Sequence, residues 1–298
     1  MNIDMMHNSM LIIGGEGYIG SYLTLKFDGA YNFGNRNTDY NTLSKDKIQR
    51  FEYIVLLAGH SSVQSCDGPL ISPWLNNVVN FKWLVNNTLP EQKIIYASSS
   101  SVYGNKHTGV SEEDNISLDY INNYDLTKST LDLYALQQIN FGRQIIGLRF
   151  GTVNGGSPVI RRDLMINSMV YSALEKNQIL VTNKHVRRPI LYLNDLYRAV
   201  LAITSSKFKP GLYNLASFNS TVSEISKQVS LQTGVQVTDQ GDREGVYDFA
   251  ISTKKFIKAY DFNFEGSIED VVSSVVLCYK EQSPKVVIRN QYFKYPND

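Results

Sequence analysis

The chain has 298 residues, 43% of them hydrophobic and 19% charged, which is the composition of a globular protein. The length suits one large α/β domain or a nucleotide-binding domain with a smaller lobe. A net charge of +1 supplies no general attraction to nucleic acid or to an anionic membrane, and both are set aside as partners. Cys66 and Cys278 are too few for a disulfide framework and form no C-x-x-C pair, so a reducing, cytoplasmic compartment is expected. His7, His60, His107 and His185 are scattered without metal-ligand spacing, and no metal is expected. No apolar run approaches the roughly 20 residues of a membrane span. Met1 to His7 has neither a basic nor an apolar segment, and the first nine residues are expected to be a disordered lead or a start-site artefact.

From the N-terminus, the apolar run Met10 to Ile13 predicts a strand, and Ser21 to Lys26 has helical character. Between them Gly14, Gly17 and Gly20 form a G-x-x-G-x-x-G pattern. In that context spaced glycines permit a tight turn, a close approach of backbone to a pyrophosphate, and close packing of helix on strand. A second strand over Tyr31 to Phe33 is followed by Gly34-Asn35-Arg36, with Asp39 three residues later. Where an acidic residue would select NAD, Arg36 offers either a fork for the 2′-phosphate of NADP or only a solvated loop arginine. The nearly continuous apolar stretch Phe51 to Ala58 predicts a parallel strand covered on both faces. It opens into Gly59-His60-Ser61-Ser62-Val63 at the end where such sheets bind ligands; His60 is read as a hydrogen-bonded loop residue or as a ligand contact.

A helix over Ile71 to Asn87 contains Asn77, and the strand Lys93 to Ala97 runs into Ser98-Ser99-Ser100-Ser101-Val102-Tyr103-Gly104. These serines are either a flexible turn or hydroxyls aimed at a substrate oxygen. Tyr124 and Lys128 follow, four residues apart on a helix continuing through Leu131, Leu133 and Leu136, so phenol and ammonium share one face. A neighbouring ammonium and the charge of an oxidised nicotinamide would favour the phenolate, making Tyr124 a candidate proton shuttle. The strand Gln144 to Phe150 completes the alternation of strands and helices that predicts a Rossmann-like, doubly wound parallel sheet.

After Gly151 the texture changes. A helix is predicted over Leu164 to Lys176, and Asn194-Asp195 is read as the cap of another helix running through Leu201. Shorter elements are expected near Tyr213, over Val222 to Leu231 and over Ile268 to Tyr279. The expected division is a nucleotide-binding domain over 10–151, with a strand and helix returning from about 186–204, and a C-terminal substrate-binding lobe over 152–298. Arg161, Arg162, Arg188 and Arg243 are either solvated individually or, if they converge, a diphosphate clamp. The basic, aromatic tail Arg289 to Tyr295 is read as docking on the body or on a partner subunit.

In this order the motifs resemble the extended short-chain dehydrogenase/reductase family, in its branch of NAD-dependent epimerases and dehydratases acting on nucleotide sugars. The likeness is carried by the three glycines, Ala58 to Val63, Asn77, Ser98-Ser99 before Val102-Tyr103-Gly104, Tyr124-x-x-x-Lys128, Leu148-Arg149-Phe150, and Arg188-Pro189 before Asn194-Asp195. The resemblance implies catalysis by Tyr124 as acid/base, Lys128 as the residue that binds the nicotinamide ribose and lowers the tyrosine's pKa, and Ser99 as the donor to the sugar oxygen. It implies NAD or NADP on Gly14, Gly17, Tyr18, Ile19, Arg36, Asp39, Leu57, Ala58, Gly59, Asn77, Tyr124 and Lys128. It implies substrate contacts from Ser61, Ser62, Ser100, Thr152, Arg161, Arg162, Asp163, Asn167, Arg188 and Arg243, the stretch Gly156 to Leu164 being similar to one subgroup in particular. Sugar dehydratases of the family carry an Asp-Glu pair where this chain has Ser100 and Ser101, which argues against dehydration; the family's usual Asn is replaced by Thr152. The activity so implied is a nucleotide-sugar epimerase working through a keto-sugar. The alternatives are an NADPH-dependent keto-sugar reductase or dehydrogenase and a non-catalytic NAD(P) sensor. Helices over Leu75 to Asn86 and Asp125 to Gln138 imply a homodimer, since these form the dimer contact in related proteins.

Overall fold

The computed structural model describes residues 9–34, 39–104, 109–114, 122–244, 246 and 248–282. Its centre is a six-stranded sheet in the order β2 (Tyr31–Phe33), β1 (Met10–Ile13), β3 (Tyr53–Leu56), β4 (Lys93–Ser99), β5 (Ile145–Phe150) and β9 (Gly211–Leu215). Every neighbouring pair is parallel. Successive side chains on a strand point to opposite faces. Thus Met10, Ile12, Tyr53 and Val55 enter one apolar core, while Leu11, Ile13, Ile54 and Leu56 enter the other. Helices cover both faces, which is why these strands are apolar without alternation.

On the first face lie α1 (Tyr18–Lys26) and α7 (Leu193–Thr204), contributing Leu23, Phe27, Leu196, Ala199, Val200 and Ile203. On the second lie α4 (Asn80–Asn87) and α5 (Asn123–Asn140), contributing Phe81, Leu84, Val85, Leu131 and Ala135. The helix expected over Ile71 to Asn87 is three pieces: α3 (Ile71–Trp74), a widened π turn over Leu75–Val79, and α4. Such wide turns break the 3.6-residue spacing and commonly sit at functional positions.

The second lobe is built on α6 (Met165–Lys176), α8 (Val222–Thr233) and α10 (Ile268–Gln282), which bury Ile166, Val170, Ile225, Val229, Val271 and Val275 together. The returning segment splits between the two bodies. Strand β8 (Arg187–Tyr192) joins β6 (Thr152–Asn154) and β10 (Phe218–Thr221) in a separate three-stranded sheet, whereas α7 and β9 complete the large one.

Asn194 and Asp195 do not cap α7; the helix begins at Leu193 after Tyr192, and no side chain caps it. Asp195 is instead buried in the first turn, where a carboxylate complements the helix dipole. It accepts hydrogen bonds from Ser217 Oγ at 2.6 Å, Gly266 N at 2.9 Å, Arg198 Nη1 at 2.9 Å and Glu265 N at 3.1 Å, so one side chain ties α7 to two distant chain segments. Replacing Asp195 by Ala leaves those donors without their acceptor. The variant is expected to lose about 3 kcal/mol of stability, read from the shift of the urea unfolding midpoint.

Candidate active site

Two cavities adjoin at the C-terminal ends of the parallel strands. The first, of about 480 Å³, lies over the turn from β1 into α1 and is lined by Gly14, Gly17, Tyr18, Ile19, Asp39, Leu57, Ala58 and Gly59. Gly14 has φ +94°, and a Cβ there would sit 2.6 Å from the Ala58 nitrogen; a Cβ at Gly20 would sit 2.0 Å from the Gly14 oxygen. Both glycines are therefore demanded by packing. At Gly17 a Cβ would meet only the Gly14 oxygen, at 3.3 Å, so this glycine leaves the approach to the N-terminus of α1 open. That combination of open backbone and helix N-terminus fits a dinucleotide pyrophosphate. Arg36 lies outside the described residues, as do His107 and the basic tail from Arg289.

The second cavity, of about 310 Å³, is lined by Ser61, Ser62, Ser99, Ser100, Tyr124, Lys128, Thr152, Arg161 and Arg188. Tyr18, Ile19, Leu57, Gly59, Ser61 and Arg161 belong to both, so the two volumes share a wall. Each lies within the range of ordinary ligand pockets, about 300 to 1,000 Å³.

Tyr124 sits in the first turn of α5, whose N-cap Asn122 accepts a hydrogen bond from the Asp125 nitrogen at 3.0 Å. Lys128 follows one turn later, its Nζ 5.8 Å from the Tyr124 ring centre and donating to the Ala97 carbonyl at 2.9 Å. Ser99 closes β4; its hydroxyl pairs with Ser101 Oγ at 2.8 Å and lies beside the Tyr124 phenol, on whose pKa it acts. Burial pushes Tyr124 up to about 12, and the neighbouring Ser99 hydroxyl opposes that rise without cancelling it. Burial likewise pulls Lys128 down to about 8, opposed by the Asp132 carboxylate. The lysine was expected to acidify the phenol. In the protein alone burial leads, opposed by Ser99 and the Arg161 cation, and the phenol keeps its proton at neutral pH.

Asn77 lines neither cavity. From the π turn its Oδ1 accepts the His60 N–H at 2.8 Å, while its Nδ2 donates to the His60 carbonyl at 3.2 Å and to Thr127 Oγ1 at 3.0 Å. It thereby fixes the loop after β3 against α5. The His60 ring lies within hydrogen-bond distance of the Ser65 carbonyl, 2.7 Å, and of Ser72 Oγ, 3.2 Å.

Of the four arginines, two converge on the second cavity, Arg161 and Arg188. Arg161 reaches Ser61 Oγ at 3.2 Å and is paired with Asp163, so it spans from the lobe to the loop after β3. Arg162, the next residue, is drawn off by Glu175 at 2.9 Å and lies over the Tyr171 ring at 4.3 Å. Arg243 is exposed and held through its backbone to Asn183. Asn167 is fully buried; it donates to the Arg161 carbonyl at 2.9 Å and to the Tyr18 hydroxyl at 3.2 Å, and accepts from Gly155 N at 3.2 Å. Asp163 and Asn167 thus hold Arg161 in place, and neither lines a cavity.

Sequence reasoning missed a buried polar cluster behind the site. Asp132, one further turn along α5, accepts from Arg149 Nε and from the Tyr96 hydroxyl, both at 2.7 Å. Arg149 also donates to the Tyr103 hydroxyl at 2.7 Å, which donates to Asn214 Oδ1 at 2.8 Å. The available signal was the repeat Tyr124, Lys128, Asp132 at four-residue intervals, which puts an acid on the same helix face as the phenol and the ammonium.

Fold and site together describe a protein of the extended short-chain dehydrogenase/reductase type. The chain belongs to the NAD dependent epimerase/dehydratase family, whose model matches residues 10–216. It is 26% identical over 336 aligned positions to an uncharacterised protein of Methanocaldococcus jannaschii, covering 98% of this chain and 96% of the relative. In structure it is similar to the UDP-N-acetylglucosamine 4-epimerase from Methanobrevibacter ruminantium M1, with TM-score 0.80 and 18% identity over 92% of this chain and 98% of that one. It is also similar to the UDP-glucuronic acid 4-epimerase from Bacillus cereus, solved with UDP-glucuronic acid and NAD; the TM-score is 0.79 at 19% identity, over 91% and 99% of the two chains. At this level of identity the structural likenesses establish the fold.

A lysine whose pKa falls on folding binds fewer protons in the folded than in the unfolded state. Between pH about 8 and 10.5 its contribution to stability therefore rises with pH, and below pH 8 the whole penalty is present. The shift corresponds to roughly 3 kcal/mol, offset by about 1 for the hydrogen bond to Ala97 that an apolar replacement forfeits. Lys128→Met is accordingly expected to be about 2 kcal/mol more stable than the native chain at pH 7, without added nucleotide. The difference should vanish or reverse as the pH approaches 10.5, measured by urea unfolding at a series of pH values.

Proposed function

We propose that this protein is an NAD- or NADP-dependent nucleotide-sugar epimerase acting through a transient keto-sugar. The observation that carries this is the Tyr124 phenol, beside Ser99 and one turn from Lys128, on the wall of a cavity that adjoins the open glycine turn. Gly14, Gly17 and the N-terminus of α1 would hold the dinucleotide pyrophosphate, Asp39 its adenosine end and Lys128 the nicotinamide ribose. When bound, the nicotinamide supplies the acceptor for the sugar's hydride and its return to the opposite face.

The chain's own residues handle the proton. Tyr124 removes it from a sugar hydroxyl, Ser99 donates a hydrogen bond to the oxygen as the carbonyl forms, and Lys128 with the cofactor's positive charge stabilises the phenolate against its burial. Arg161 and Arg188 supply cations for the nucleotide diphosphate, and Arg161 alone of the four is anchored at the wall between the cavities. Ser100 and Ser101 carry no group that titrates near neutral pH, so elimination of water lacks a general acid or base at those places.

A homodimer is part of the same proposal. Ile71, Leu75 and Val79 on the segment leading into α4, and Leu133 and Leu136 on α5, are exposed. Two such helices from each chain would bury them in a four-helix contact. Cys66 and Cys278 are free thiols, in keeping with a cytoplasmic setting. Among the described residues no helix is long and apolar enough to cross a membrane.

The purified protein should interconvert a UDP-hexose or UDP-hexuronic acid with its epimer without net consumption of cofactor, followed by NMR of the sugar. Stoichiometric oxidation of NADPH by a keto-sugar nucleotide would replace the epimerase with a reductase. Tyr124→Phe is expected to lower turnover by at least about 100-fold with little change in KM. Sedimentation should give twice the mass of one chain, and Leu75→Lys with Leu133→Lys should give one.

A further inference from the structure

Behind the catalytic face lies an ion pair that the proposed chemistry does not itself use. Asp132 and Arg149 are joined at 2.7 Å with side chains 0% and 2% exposed. Taking two charges out of water costs several kcal/mol per ion, and replacing such pairs by apolar side chains is often neutral or stabilising. A buried pair is therefore a poor device for stability alone. This one is placed where a charge would act, because on α5 positions 124, 128 and 132 stand above one another.

We propose that Asp132 is a positioning residue for the Tyr124 and Lys128 pair: clamped by Arg149 and Tyr96 one turn beyond Lys128, its carboxylate keeps that side chain an ammonium directed at the Ala97 carbonyl. Lys128 is buried, and its hydrogen bond among the described residues, at 2.9 Å to Ala97, does not require a charge. The groups facing it are Tyr124 and Asp132 from its own helix and the Cys66 thiol from the turn after β3. Tyr96 of β4 and Arg149 of β5 stand behind Asp132, and Arg161 acts on Tyr124 from across the cavity. Asp132 is the carboxylate among them that bears on the lysine, and it opposes the effect of burial. Both Asp132 oxygens are already occupied, Oδ2 by Arg149 and Oδ1 by Tyr96, so it cannot swing to pair with Lys128 directly. It acts through the field over one helical turn. The inference deepens the epimerase proposal, since an ammonium at Lys128 is what favours the Tyr124 phenolate there.

The test is the titration of Lys128 itself, by trace labelling of the full-length, ligand-free protein with acetic anhydride between pH 6 and 11. The Lys128 peptide is quantified by mass spectrometry against exposed lysines. Asp132→Asn is expected to lower the Lys128 midpoint by about one pH unit or more, a tenfold rise in the neutral amine at a given pH, while Asp132→Glu returns it towards the native value. Asp132→Asn also strands Arg149; if it fails to fold, the double variant Asp132→Leu with Arg149→Met removes both charges and should lower the midpoint in the same direction but by less, since a more distant cation leaves with the anion. A native midpoint in whichever of these folds overturns the proposal and leaves the pair a packing feature. The labelling needs neither substrate nor cofactor, so a protein that fails to epimerise any sugar nucleotide can still pass it, and an unmoved midpoint leaves the epimerase proposal standing.

Discussion

A carboxylate and a guanidinium closed together in the interior decide where α5 lies on the sheet. Asp132 on the helix meets Arg149 on β5, Tyr96 on β4 joins the same carboxylate, and Tyr103 and Asn214 extend the chain of hydrogen bonds to β9. An apolar interface tolerates sliding by a fraction of a turn, because dispersion and burial carry little direction. A pair that must be satisfied on both sides does not, since a missed hydrogen bond here leaves a buried charge without compensation. The register of Tyr124 and Lys128 against Ser99 and Ala97 follows from it, as does their projection towards one cavity.

The wall between the two cavities is fastened in a comparable way from the lobe. The Tyr18 hydroxyl donates to the Gly155 carbonyl at 2.8 Å, Ser157 Oγ donates to the Tyr18 carbonyl at 2.7 Å, and Asn167 bonds both Tyr18 and Arg161. The first turn of α1, which faces the candidate pyrophosphate position, and Arg161, which faces the sugar side, are thus parts of one hydrogen-bonded assembly. A change in one cavity has a short covalent and polar route to the other, through residues that are themselves buried.

Much of this fold was legible because the physics that makes a parallel strand also marks it in sequence. Strands covered on both faces must be apolar at every position, and the runs at Met10, Tyr53 and Ile145 announce themselves for that reason. The one-turn spacing of Tyr124 and Lys128 was legible because the helical repeat is fixed. Facing of single polar side chains was not. Arg161 and Arg162 are identical neighbours in sequence, yet one turns into the site and the other is drawn to Glu175 and Tyr171, a choice made by partners thirteen and nine residues away or more. Asn194-Asp195 had the composition of a helix cap, but Asp195 serves chain segments at 217 and 265–266 that no local pattern could foretell. The π turn at Leu75–Val79 likewise carries Asn77, whose partners His60 and Thr127 lie 17 and 50 residues away in sequence.

Stability and chemistry pull against each other at Lys128, and the conflict is informative about design. A lysine in a dry site is disfavoured as an ammonium, a tyrosine beside it is disfavoured as a phenolate, and both effects have one cause, burial. In the empty site the lysine, pulled down only to about 8, is an ammonium at neutral pH, while the phenol keeps its proton. A fixed anion one turn beyond favours the ammonium at Lys128, and a cation arriving with the cofactor biases Tyr124 towards phenolate. The site is then least prone to move a proton when empty and most prone when loaded, which is the order an enzyme needs if the keto-sugar stage is to occur only with both ligands in place.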